Sequence, residues 1–417
     1  MRDAGAGLYL PVAGIAVAAA AVLHACLSPL DVPRTMRPQT VVLFATPKIL
    51  SDFSHPATGV AAFLNNYSPL TSRAAQTIVI FAVGNGDQIL TYRGGESWGD
   101  TVEWARYTND VPVSQRVLDY RQLHAIVQAF KARAAALGMS LKVFDQIDSG
   151  LEFTRNDFKM RRHPECMSWP WGSYDIRGRL HQDDAVYASA PDGIVEGTEC
   201  GQFLVDQVSR YVRDLGFDGI LYGNQLGTRG RWFPGNGPGY SEAEAAAIRA
   251  FLESSKRGLR DKELMWFDSY NNRQVERDTW SFPSDEYRSF DYLIASGFCV
   301  ITSTERYENN LESKLQLTGG PRILATLDYV DPWYRYNSMT TFPDESARLE
   351  DIALVSRDRI DGVVFFANDR NGALVPRRVI ASFAERFYGG LETSVAPLLR
   401  HGDDRDDARQ DLRDPPQ

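Results

Sequence analysis

Eight short runs of β-branched and aromatic residues recur along the chain, and amphipathic helical stretches lie between them. The runs are Val41 to Ala45, Thr77 to Val83, Leu141 to Phe144, Gly219 to Tyr222, Leu264 to Phe267, Tyr292 to Ala295, Ile323 to Leu327 and Gly362 to Phe366. Helical spacing of apolar residues marks Asp119 to Leu137, Gln202 to Leu215, Ser241 to Leu259, Asn310 to Leu317, Glu345 to Arg357 and Val375 to Phe387. Strict strand and helix alternation requires parallel strands joined by crossovers, and eight such units close into a (β/α)8 barrel. An open doubly wound sheet would carry a glycine-rich turn running straight into a helix after an early strand. Gly84-Asn85-Gly86 follows the second run but lacks the third glycine and the helix behind it.

Two segments repeat one grammar. Gly216-Phe-Asp-Gly-Ile-Leu-Tyr-Gly-Asn-Gln225 and Ile360-Asp-Gly-Val-Val-Phe-Phe-Ala-Asn-Asp369 each enter a strand through Asp-Gly and leave it through Asn and a second polar residue. This reading puts Asp218 and Asp361 at the closed, structural end of the barrel. It puts the polar residues that follow the strands at the opposite, functional end.

The barrel is expected over residues 39–390, in a chain of 417. Before it, Arg2 precedes a run of apolar residues ending Leu23-His24-Ala25-Cys26, the layout of a secretory signal. The last four residues resemble a bacterial lipobox, which implies cleavage before Cys26, acylation of that cysteine and export to the cell envelope. The alternative is an uncleaved membrane anchor. Residues 27–38 read as a linker, and 391–417 as a charged tail with too few apolar residues to order. In an oxidising compartment Cys166 and Cys200, which share one long connection, are the expected disulfide, with Cys299 left free. Metal is not expected: His163, Cys166, His181 and Cys200 fit no zinc spacing, and no histidine closes a strand. A net charge of -9 without any Lys/Arg run argues against nucleic acid as a partner.

Long connections mark the functional end: Gly84 to Ser114, Asp148 to Glu199 with Trp169, Trp171 and Tyr174, and Asn224 to Tyr240. Four carboxylates follow odd-numbered strands. Asp145 and Asp148 come after the third, Asp268 after the fifth and Asp328 after the seventh; alternate strands contribute side chains to a common layer, so such acids can meet. Asp145 and Asp148 are three apart, so a regular strand points them to opposite sides, and Asp148 is preferred. Around these acids lie Asn224, Gln225, Trp266, Tyr270, Arg229, Arg231, Trp232, Tyr329, Trp333, Asn368 and Asp369. Aromatic faces stack on sugar rings, amides and guanidinium groups bind hydroxyls, and two carboxyls supply acid and nucleophile or base. The Gly227 to Gly239 stretch lacks the Gly-Lys-Ser/Thr of a phosphate loop, and Asn368-Asp-Arg-Asn-Gly372 lacks the closing acid of a calcium loop.

Gly216 to Gln225, together with Leu264-Met-Trp-Phe-Asp-Ser-Tyr270, resembles barrel glycoside hydrolases, and over these two strands is similar to the endo-β-N-acetylglucosaminidase family. That family ends the first strand in Asn and a general-acid Glu. Gln225 stands nearest to it here and cannot deliver a proton, so the acid would have to come from the aspartates. The expectation is an O-glycoside hydrolase without cofactor that acts on an extracellular or envelope polysaccharide through an Asp pair. A non-catalytic glycan-binding lipoprotein on the same barrel is the alternative, and a lyase or metal-dependent barrel enzyme is a third reading.

Overall fold

A computed structural model describes residues 39–83, 88–89, 92–103, 117–147, 152–154, 173–174, 180–181, 185–187, 199–222, 252–268, 286–295, 304–317, 319–330, 338–369 and 371–389. The expected leader, linker, tail and Cys26 all lie outside them, as does Cys166; Cys200 falls within a helix, but its side chain is not among those described.

The eight expected strands form one closed parallel barrel. They are β1 (Thr40–Ala45), β2 (Gln76–Phe81), β3 (Leu141–Ile147), β4 (Gly219–Tyr222), β5 (Glu263–Asp268), β6 (Tyr292–Ala295), β7 (Arg322–Leu327) and β8 (Gly362–Phe366). Each pairs with its neighbour in sequence, and β8 closes on β1. Followed from partner to partner around the ring, the register returns eight residues displaced, the stagger that tilts the strands of a (β/α)8 barrel.

Helices α1 (Pro56–Thr71), α2 (Tyr120–Ala136), α3 (Glu199–Leu215), α4 (Thr304–Leu315), α5 (Pro343–Val355) and α6 (Arg377–Gly389) belong to the outer layer, along with a helical segment at 252–259. The sequence does not announce α1, because Gly59, the Asn65-Asn66 pair and an internal Pro69 mask its periodicity. Tertiary packing makes up for weak propensity: Val60, Phe63, Leu64 and Tyr67 are buried, and Phe63 meets Phe130 of α2 at 6.0 Å. Helix α2 starts where expected, at Asp119, whose carboxylate accepts from the Gln122 amide while the Gln122 side chain accepts from Asp119 N–H. The capping box expected at Ser241 lies outside the described residues.

Strand alternation divides the core in two. Phe365 of β8 faces outward and packs on Tyr67 of α1 and Phe383 of α6. Phe81 of β2 does the same against Phe130. Inside, Phe44, Phe267 and Phe366 meet across the barrel with ring centres 5.3 to 6.4 Å apart, and Phe144 meets Tyr292 at 6.2 Å.

The Asp-Gly repeat has a structural cause, and it extends to a third member. Asp361 donates its N–H to Ile323 O and accepts Ile323 N–H on its carboxylate, 2.8 Å away. Asp218 holds Val143 in the same way, and Asp291 holds Leu264. Each aspartate enters an even-numbered strand and clamps the odd-numbered strand before it. The glycines after two of them are required by close approach: a Cβ on Gly362 would lie 1.9 Å from Thr40 O, and one on Gly219 would lie 2.4 Å from Glu263 O. The same closed end is plugged by a charged layer that the sequence reading did not single out. Glu263 accepts from Lys142 at 2.7 Å, from Arg322 at 3.1 Å and from the Tyr292 hydroxyl at 3.2 Å, while Arg322 lies over the Tyr292 ring.

Candidate active site at the open end of the barrel

Because neighbours in a parallel sheet share a face, one register fixes which residues point inward on every strand. Lys142, Phe144 and Gln146 point inward on β3; Glu263, Met265 and Phe267 on β5; Arg322, Leu324 and Thr326 on β7. Asp328 follows Leu327, the last residue of β7, at the position that continues the alternation of Arg322, Leu324 and Thr326, and 8% of its surface is exposed. Its carbonyl accepts from the Ser346 hydroxyl of α5, which fixes the backbone at this strand end. Phe267, only partly buried, provides an aromatic floor, and Gln146 provides an amide. From β1 and β8 come Thr46 and Asn368, which bind one another: Thr46 N–H donates to Asn368 Oδ1 at 3.0 Å, and Asn368 Nδ2 donates to Thr46 Oγ1 at 2.9 Å.

Asp145 is corrected by this register. Strand β3 runs three residues past its expected end, so Asp145 is a strand residue facing the helices, and Gln146 takes the inward place. The Asp145 carboxylate is wholly buried and accepts from Val83 N–H, Gln146 N–H, Gln88 Nε2 and the Tyr211 hydroxyl of α3. Burial pushes its pKa up to about 6, against the four hydrogen bonds, which act to lower it. Acids from the third, fifth and seventh strands therefore do not share one inner layer through Asp145. The partners that hold it were not picked out from sequence, although Gln207 and Tyr211 lie four apart on one face of an expected helix. Gln207 Nε2 donates to the carbonyls of Ile89 and Tyr92, and the rings of Tyr92, Tyr120 and Tyr211 pack together.

Other expected binding residues belong to the scaffold. Trp266 alternates with the inward residues of β5, is fully buried and packs on Phe290 at 5.5 Å. Tyr329 is buried against Phe365 at 5.6 Å. Asn368 is buried in its exchange with Thr46, and Asp369 shapes the turn after β8 by accepting from Asn371 and Ala373 N–H, 2.8 Å each. Apolar surroundings claimed the two aromatics, and unsatisfied turn backbone claimed the two polar groups. Asp268 closes β5, but its side chain is not among those described. Asp148, Asn224, Gln225, Arg229, Arg231, Trp232, Tyr270 and Trp333 lie outside the described residues. Among the described residues no group of His, Cys, Asp and Glu is placed to hold a metal ion, and no helix is long and apolar enough to cross a membrane.

No family model and no curated protein sequence matches this chain. Solved structures match over most of its length at low identity. An alpha-amylase from Geobacillus thermoleovorans, complexed with acarbose, is 11% identical over 85% of this chain and 77% of its own, with a TM-score of 0.46. The cyclic alpha-maltosyl-(1→6)-maltose hydrolase of Arthrobacter globiformis is 11% identical over 85% of this chain and 82% of its own, with a TM-score of 0.42. TcOYE with pHBA is 10% identical over 84% and 94%, with a TM-score of 0.40. The two-strand likeness to the endo-β-N-acetylglucosaminidase family finds no counterpart in these three. Likenesses at this level carry nothing about chemistry, and the eight-stranded barrel rests on this chain's own strand order.

Proposed function

We propose that this chain is a glycoside hydrolase that cuts an extracellular or cell-envelope polysaccharide at the open end of its barrel. The observation that supports it most is Asp328, a largely buried acid directly after β7, at the barrel end where Phe267 and Gln146 are the last inward residues of β5 and β3. In this reading Asp328 forms the acid and nucleophile-or-base pair with Asp148; Asp145 is structural, and Asp268 is set aside because its register on β5 is that of Trp266 and not that of the inward Phe267. Carboxyls about 5 Å apart give retention through a glycosyl-enzyme, and those beyond about 6.5 Å give inversion by an activated water. Asn224, Gln225, Arg229, Arg231, Trp232, Tyr270 and Trp333 then supply hydroxyl contacts and stacking. Export and acylation at Cys26 bring the barrel to its substrate, and no cofactor or nucleic acid takes part.

A panel of bacterial and plant polysaccharides, incubated with the mature domain and assayed for new reducing ends, tests this proposal. Reducing ends from at least one glycan support it. Binding of a glycan with no cleavage would instead favour a carbohydrate-binding lipoprotein.

A further inference from the structure

The end of β7 is held from outside the barrel as well as by its sheet partners. Pairing with β8 runs to Leu327 against Phe365, so the carbonyls of Asp328 and Tyr329, just past it, take donors from elsewhere. Ser346 of α5, itself buried, donates its hydroxyl to Asp328 O at 2.8 Å. Met339 N–H, in the short helical turn Ser338–Thr341, donates to Tyr329 O at 3.1 Å. Two residues before Asp328, Thr326 O accepts from the Tyr307 hydroxyl of α4 at 3.1 Å, and Thr326 Oγ1 donates to Ala295 O of β6 at 2.9 Å. These bonds bracket Asp328 on both sides along the chain.

We infer that Ser346 and Tyr307 are positioning residues for Asp328, an inference that rests on the reading of Asp328 as a working carboxylate. They tie its backbone to two helices whose own places are set by the core. Tyr307 and Leu311 of α4 are buried, as are Leu349, Ile352 and Ala353 of α5, so neither helix shifts without repacking its neighbours. A side chain carried just past a strand inherits every displacement of that backbone, and a misplacement near 1 Å can cost about 100-fold in rate. Both hydroxyls act through the β7 backbone and not on substrate.

Ser346→Ala, Ser346→Thr and Tyr307→Phe, compared with the wild type, test this in two ways. Amide hydrogen exchange at Met339 reads the brace without any turnover, because that N–H depends on Tyr329 O staying in place. It should be about tenfold faster in Ser346→Ala, faster to a smaller degree in Tyr307→Phe, and close to wild type in Ser346→Thr. Unchanged exchange in the first two variants would overturn the inference, whether or not a glycan is cut. On a glycan the wild type cuts, kcat should fall about tenfold in Ser346→Ala and Tyr307→Phe with KM within about twofold, and Ser346→Thr should recover most of the loss. Wild-type kcat in both folded variants, or a change confined to KM, would also overturn it. Tyr307→Phe, which removes a single oxygen, carries both measurements if Ser346→Ala does not fold. A wild type that cuts no glycan while Met339 responds as expected would remove the hydrolase reading and leave the brace standing.

Discussion

The aspartate clamps at the closed end predict a stability loss that can be worked from contacts. In Asp361→Ala the Ile323 N–H loses its acceptor at 2.8 Å inside a strand pair that is buried, while the main-chain bond from Asp361 N–H to Ile323 O survives. A hydrogen bond to a charged group is worth about 1.5–3 kcal/mol, and a buried donor left unpaired costs about 1–3 kcal/mol. These overlap, so the expected loss is about 2–3 kcal/mol. Asp361→Asn keeps a side-chain oxygen in place and should lose about 1 kcal/mol. Urea unfolding followed by circular dichroism reads the difference: at an m-value near 3 kcal/mol/M the alanine variant's midpoint falls by roughly 0.7–1 M. Asp218→Ala and Asp291→Ala should behave alike, with an added effect from their lysine partners Lys131 and Lys256. An alanine variant within about 0.5 kcal/mol of wild type, or equal losses in the asparagine and alanine variants, would refute the assignment of stabilisation to the carboxylate.

Gly362→Ala should be far worse than Gly389→Ala, because its Cβ would meet backbone of β1 at 1.9 Å whereas nothing lies within 4 Å of the other; melting temperatures of the two variants compare them. Asp145 also sets a global pH dependence. Its folded pKa is raised, so its contribution is fully present below pH 3.8 and is lost as pH rises through about 6, amounting to about 3 kcal/mol. Urea midpoints of the wild type should show that decline, and those of Asp145→Asn should not. Cys26→Ser should abolish lipid attachment, read as loss of the acyl mass on the mature N-terminus and release of the chain from membranes.

The eight strands were legible because their centres are short, mostly apolar runs buried on both faces and bounded by turn residues. Helix α1 was hidden because propensity misleads where packing decides. The site was less legible for a related reason. Sequence places a residue at a strand end but does not fix its parity, and extending β3 by three residues turned Asp145 from the mouth to the helices. Trp266 and Tyr329 look like stacking platforms until the outward faces of their segments are known, and then they are core. At β7 the expected and observed ends coincide, at Leu327, so the position of Asp328 directly after the strand was legible.

The most direct test of glycoside cleavage at this end of the barrel is the rate of reducing-end release by wild type and Asp328→Asn, measured side by side on the first glycan the wild type cuts. With Asp328 as one of the two working carboxylates, the variant should retain glycan binding and its melting temperature while its rate falls at least about 100-fold, the least that a positioned acid or base contributes. Full turnover by a correctly folded Asp328→Asn would contradict the assignment.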